Sequence, residues 1–180
     1  MRLCIEDSLA LVVDYQERLL PVIHEKDLLL RNSRILLQGL AALGVPMLVT
    51  RQYPKGLGPV VPELLEPLGD APVYDKLAFS CYDDAAIRKA VDDKKPKNIL
   101  LCGIEAHVCL LQTLIDVQSA GYQAVLVTDC VGSRNPGDKK YALKRAAQEG
   151  ALPATYESLL FELTRSAEAN AFKTISKLVK

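Results

Sequence analysis

The sequence predicts a single α/β domain over residues 1–180, a three-layer open sheet of five or six parallel strands flanked by helices. Three observations point that way. Short apolar segments of strand length alternate with longer segments whose apolar residues recur at helical spacing, as crossover connections require. Several periodic segments run into a glycine, such as Gly44, Gly121 and Gly150, where a left-handed C-cap is wanted. The length of 180 residues suits one domain, large enough to bury roughly 70% of its unfolded surface without disulfide or metal staples.

Taken in order, Ser8–Val13 reads as a strand buried on both faces, because it is an unbroken apolar run. Leu29, Leu36, Leu40 and Leu43 then mark a helix from about Glu25 to Leu43, closed by Gly44. Val45–Thr50 reads as the second strand. The stretch Tyr53–Pro67 is dense in proline and glycine, predicting a long irregular loop that could wall a substrate pocket. Pro72–Asp75 is a third strand, Asp83–Val91 a helix opened by an Asp cap, and Asn98–Cys102 a fourth strand. Ala106–Ala120 alternates like a helix, Ala124–Thr128 like a fifth strand, and Asp138–Glu149 like another helix. Leu152–Thr155 is a short sixth strand, followed by two terminal helices.

Composition narrows the function classes. The 22 basic residues balance the 22 acidic ones, with no clustered basic stripe, which speaks against a nucleic-acid partner. Apolar runs such as Leu9–Val13 fall far short of the ~18 residues of a membrane span, so no membrane partner is expected. Glu6 and Asp7 interrupt the apolar core that a signal peptide would need. Five scattered cysteines without a CxxC pair suit reduced thiols in the cytoplasm better than a disulfide framework or zinc ribbon.

In open parallel sheets, ligands bind beyond the carboxyl ends of the strands, where strand order reverses. Asp14, Lys76 and Cys109 follow strands one, three and four. If strands one and four are neighbours at the reversal, Asp14 and Cys109 face each other. Each also has an ordinary reading. Asp14 would cap a turn, Lys76 would be a solvated surface lysine, and Cys109 a small buried apolar residue. A helix start at Cys109 would favour its thiolate. Cys102 and Cys130, in apolar strands, read as packing residues, whereas Cys81 stands five positions after Lys76 and could border the same site.

Other templates fit poorly. A dehalogenase-type Asp nucleophile expects a second Asp where Gln16 stands. The two histidines, His24 and His107, are too few for a three-histidine zinc site, so no metal and no cofactor is expected. There is no GxGxxG, no phosphate-binding GxxxxGK[ST] loop and no G-x-S-x-G elbow.

Val12-Val13-Asp14-Tyr15-Gln16, then Lys76-Leu77-Ala78-Phe79-Ser80, then the run from Cys102 to Thr113 together resemble the isochorismatase-like superfamily of cysteine hydrolases. The segment from Thr50 to Pro59 resembles its isochorismatase-domain-containing subgroup in particular. The resemblance covers nearly the whole chain and implies a Rossmann-like sheet of six parallel strands. It implies a catalytic triad of Asp14, Lys76 and Cys109, a cis peptide between Ile104 and Glu105, and an oxyanion hole from the backbone N–H groups of Glu105 and Cys109. In that scheme Asp14 takes the thiol proton, Lys76 stabilises the charged pair, and Cys109 attacks a carbonyl to form an acyl-enzyme.

Nicotinamidases of this superfamily carry metal-binding Asp and His residues after strand two, but no histidine occurs between Arg51 and Pro67. Isochorismate-cleaving members lack the nucleophilic cysteine that this chain has. The expectation is therefore a metal-independent hydrolase of a small amide or carbamoyl compound, acting as a homo-oligomer. Gln16, Arg51, Gln52, Tyr53, Phe79, Tyr82 and His107 are candidate pocket residues by their nearness to strand ends. The alternatives are a catalytically silent interaction protein on the same fold, and a redox sensor pairing Cys109 with Cys81.

Overall fold

The computed structural model describes residues 2–180 and contains six strands in one parallel sheet. They are β1 (Ser8–Val13), β2 (Met47–Gln52), β3 (Val73–Lys76), β4 (Asn98–Ile104), β5 (Gln123–Gly132) and β6 (Leu152–Ala154). Their order is β3-β2-β1-β4-β5-β6, so the chain winds outward from the centre in both directions. The reversal lies between β1 and β4, which pair in register from Ser8 opposite Asn98 to Val13 opposite Gly103.

Eight helices cover the described sheet: α1 (Lys26–Leu43), α2 (Pro54–Leu57), α3 (Leu65–Leu68), α4 (Ala85–Lys94), α5 (Leu111–Ser119), α6 (Pro136–Gln148), α7 (Tyr156–Thr164) and α8 (Phe172–Leu178). Alternation along the strands sends side chains to two separate cores. Ala10, Val12, Leu100, Cys102 and Ile104 pack with Leu36, Leu37 and Leu40 of α1 and Leu159, Leu160 and Leu163 of α7. Leu9, Leu11, Val13, Ile99 and Leu101 pack with Ile87 and Val91 of α4, Leu114 and Val117 of α5, and Ala142 and Ala146 of α6.

Local chemistry explains the helix ends. Gly44 closes α1 with φ of 73°, in the left-handed region that glycine enters freely. Asp84 caps α4, its carboxylate accepting from the N–H of Ala86 at 2.9 Å and of Ile87 at 3.2 Å. Asn135 does the same for α6 through Gly137, with Pro136 at the first helical position.

Three departures from the sequence reading bear on the site. β2 runs two residues later than expected, over Met47–Gln52 rather than Val45–Thr50, because Arg51 and Gln52 find ladder partners in Asp75 and Lys76 of β3. Lys76 is accordingly the last residue of β3. The proline-rich stretch is not one irregular loop. Pro54 and Pro62 open α2 and a 3-10 turn at Pro62–Leu64, where the missing N–H is not needed, and α3 follows directly. Val60, Val61, Leu64 and Leu68 are buried in the α1-side core, so the second half of this stretch packs the fold rather than walling a pocket.

Finally, β5 extends to Gly132, beyond the expected Thr128, through an irregularity opposite Leu101–Gly103 of β4.

Gly103 sits where β4 passes β1. Its φ is +135°, and a Cβ there would lie 2.1 Å from the Val13 carbonyl oxygen. Gly103→Ala is therefore expected to destabilise the fold by roughly 2 to 6 kcal/mol, since strain and overpacking each cost about 1 to 3. A urea midpoint shift with unchanged m-value checks it.

Candidate active site

Asp14 leaves the end of β1 with φ of +55° and is completely buried. Its N–H donates to the Thr50 carbonyl at 3.2 Å, tying the turn to β2. Its two carboxylate oxygens have different partners. Thr50 Oγ1 donates to Oδ1 at 2.7 Å, and Lys76 Nζ donates to Oδ2 at 2.8 Å. Both members of this ion pair have fully buried side chains. Such a pair persists only where further hydrogen bonds compensate the lost hydration. Here they do: Lys76 Nζ also faces Gln52 Oε1 at 2.7 Å, the Phe79 carbonyl at 3.1 Å and the Ala78 carbonyl at 3.3 Å.

Cys109 reaches the same point from β4. The Ile104–Glu105 peptide is cis. A single π-helical turn over Ala106–Leu110 then carries Cys109 and leads into α5. Thr113 Oγ1 donates to the Cys109 carbonyl at 2.7 Å and accepts the Cys81 N–H at 2.9 Å, so α5 holds Cys109 and Cys81 on one scaffold. The Glu105 carboxylate turns aside and accepts from the Arg134 N–H at 2.9 Å and Nε at 3.1 Å.

The electrostatics separate the two charged partners from the thiol. Burial is the largest single influence on the Lys76 ammonium and works against it, but Asp14, Cys81 and Cys109 together leave its pKa raised. Burial pushes the Cys109 thiol up to about 12; the facing Asp14 carboxylate adds to the rise and Lys76 opposes it. This corrects the expectation of a thiolate favoured by a helix start. The residue lies within a π turn beside a carboxylate, and the resting group is a thiol. Cys81, fully buried, is likewise pushed up to about 11, first by burial, with Lys76 opposing.

The candidate pocket residues divide. Tyr53, at φ +37°, and Phe79 are about half exposed beside the Lys76 segment. Gln16 is not available to a ligand. It is wholly buried, accepting the Gln52 N–H at 2.7 Å and donating to the carbonyls of Gln52 at 3.0 Å and Gly58 at 2.8 Å. Arg51 points away from Asp14 on the alternating strand and its Nε pairs with Asp75 at 2.7 Å. His107 Nδ1 meets Ser133 Oγ at 2.9 Å and its Nε2 stands 3.9 Å from Asp138. The Tyr82 hydroxyl donates to Asp92 Oδ1 at 2.8 Å, in an exposed contact near the end of α4.

Two contributors were not visible as such in the sequence: Thr50 as a donor to Asp14, and Arg134 as the anchor of Glu105. Neither carries a local signal. Their roles depend on strand register and on where β5 ends.

Among the described residues no three His, Cys, Asp or Glu side chains converge as a metal site would require. Nor is any helix long and apolar enough to cross a membrane. With this geometry in hand, comparison with known proteins is decisive at the family level. The model of the Isochorismatase domain matches residues 8–158.

The chain belongs to the isochorismatase domain family.

Within that family it is 39% identical to mouse isochorismatase domain-containing protein 2A over 99% of this chain and 85% of the mouse protein. A Caenorhabditis elegans structure described as MAR1 ribonuclease superposes with a TM-score of 0.94 at 36% identity, over 99% of this chain and 92% of that one. An Escherichia coli structure described as an octameric hydrolase of unknown specificity gives 0.93 at 27% identity over 99% and 89%. A Pseudomonas aeruginosa homologue with covalent acrylamide gives 0.92 at 27% identity over 98% and 91%. The six-stranded parallel sheet is thus that of the isochorismatase-like hydrolases.

Proposed function

We propose that this member of the isochorismatase-like hydrolases is a metal-independent cysteine amidase, cleaving the C–N bond of a small amide or carbamoyl compound through an acyl-enzyme. The observation that carries the proposal is the convergence of Asp14, Lys76 and Cys109 at the β1–β4 reversal, with the Asp14–Lys76 pair fully buried. A non-catalytic binding module would have no use for a dry ion pair against a thiol.

The chemistry runs as one coupled sequence. Because the resting sulfur is protonated, Asp14 takes the Cys109 proton as the sulfur attacks the substrate carbonyl carbon. Lys76 holds Asp14 in place and offsets the negative charge on the pair. The oxygen of the tetrahedral intermediate accepts hydrogen bonds from the Glu105 and Cys109 N–H groups. Collapse breaks the C–N bond and the proton on Asp14 passes to the departing nitrogen; Asp14 then takes a proton from the water that attacks the thioester carbonyl, the C–S bond breaks, and that proton returns to the leaving Cys109 sulfur. Tyr53 and Phe79, both half exposed beside the Lys76 segment, form the apolar mouth.

Acrylamide bound covalently in the Pseudomonas relative supports a site that admits a small amide and presents it with a nucleophile. Octameric assembly in the Escherichia relative supports a homo-oligomer here, and the five free thiols support a reducing, cytoplasmic location.

The test is ammonia release over a panel of small amides and carbamoyl compounds, with and without a strong chelator. Release that survives chelation is expected. Release that vanishes on chelation, or cleavage of RNA with no release from any amide, would overturn the proposal.

A further inference from the structure

The Lys76 ammonium has three protons and four acceptors around it, and the shortest contact is not to Asp14. Gln52 Oε1 stands at 2.7 Å, against 2.8 Å for Asp14 Oδ2. The orientation of the Gln52 amide is unambiguous. Lys76 only donates, and the Leu77 carbonyl, which takes the Gln52 Nε2–H at 2.8 Å, only accepts. The Gln52 backbone is fixed in turn by the buried Gln16 amide, through both its N–H and its carbonyl. Strand alternation puts Thr50 and Gln52 on the same face of β2, so one strand supplies a partner to Asp14 and another to Lys76.

A neutral acceptor at this place has a consequence that a charged one would not. With an amide oxygen as the competing partner, Asp14 is the only carboxylate on the ammonium among the described residues. The positive charge stays directed at the Asp14–Cys109 pair. A carboxylate at position 52 would draw the ammonium toward itself and add a negative charge beside the thiol.

We propose that Gln52 is a positioning residue for the hydrolase chemistry: its side-chain oxygen orients Lys76 toward Asp14 and, by remaining neutral, leaves the lysine charge free to stabilise the developing Cys109 thiolate. The proposal rests on the pairing of Asp14 with Cys109 put forward above.

The rate of Cys109 alkylation by iodoacetamide, mapped by mass spectrometry from pH 7 to 10, tests it without knowledge of the substrate. Gln52→Glu is expected to slow alkylation about tenfold at pH 8, the equivalent of one pKa unit. Gln52→Met, of similar length but uncharged, is expected to shift the profile by less than half as much. Coincident profiles for the two variants, or a Glu variant indistinguishable from wild type, would overturn it. Asp14→Asn is the separate control and is expected to change the alkylation profile, because it removes the group that takes the Cys109 proton. An unchanged Asp14→Asn profile would sink the Asp14–Cys109 pairing itself, whatever Gln52 does.

Should Gln52→Glu fail to fold, proton exchange of the Lys76 ammonium observed by NMR in Gln52→Met carries the test. Faster exchange than in wild type is expected, and an unaltered rate would refute the positioning role.

Discussion

Cys109→Ala is expected to abolish turnover of any amide that the wild-type protein cleaves, by about 10^4-fold or more, which is roughly 5 kcal/mol of transition-state stabilisation. The size follows from the role: without the sulfur no acyl-enzyme forms, and Asp14 and Lys76 have nothing to activate. Stability is expected to move in a different way. The folded thiol has a pKa near 12 because burial disfavours the thiolate, followed by the effect of Asp14. In the unfolded chain the thiol returns to ~8.5.

A group whose folded pKa is raised contributes stability that is complete below its unfolded pKa and lost as pH climbs toward the folded value. Wild type is therefore expected to lose stability relative to Cys109→Ala between about pH 8.5 and 12, and to show no such trend below pH 8. Urea midpoints of the two proteins across that range measure it. Residual activity in the alanine variant with a native midpoint would remove Cys109 from the mechanism.

Lys76→Met is expected to cost about 3 to 5 kcal/mol of stability, because it leaves the buried Asp14 carboxylate without its cation. For a domain of this size that is roughly 6 to 20 °C in Tm, a large fraction of a total stability of about 5 to 15 kcal/mol. Combining it with Asp14→Asn is expected to recover most of the loss, since the neutral amide at position 14 keeps the Thr50 hydrogen bond and no buried charge remains. Neither protein should hydrolyse amides.

Lys76 also has a raised pKa, so the gap between wild type and Lys76→Met is expected to be full below about pH 10.5 and to close above it. A double variant no more stable than Lys76→Met alone would show that the ion pair is not what holds this end of the sheet together.

The contrast between Asp14 and Gln16 shows how far the sequence is legible. Both stand just after β1, and both were candidates for the site. Asp14 was identified by a polar interruption of an apolar strand followed by a matching family motif. Gln16 had the same credentials of position, yet its amide is spent on the backbone of Gln52 and Gly58. Arg51 and Gln52 make the same point. From sequence, both were candidate pocket residues, but β2 extends far enough to place Arg51 on Asp75 and Gln52 on Lys76. The proline-rich stretch reads as a loop in the sequence because the turn preferences of proline are local, whereas the buried surface that orders Val60, Val61, Leu64 and Leu68 is not.

By itself the sequence determined the α/β class and nearly all the strands and long helices, and its short motifs singled out Asp14, Lys76 and Cys109 as candidates. These depend on hydrophobic period, on capping glycines and Asp residues, and on short motifs, all of which are local. Only the tertiary structure decided which oxygen of Asp14 meets Lys76, that burial pushes the Cys109 thiol up, and that Thr50, Gln52 and Arg134 bond Asp14, Lys76 and Glu105. Those outcomes come from parallel pairing of segments up to 90 positions apart, and from the exclusion of water around charges. Neither has any expression in the order of neighbouring residues.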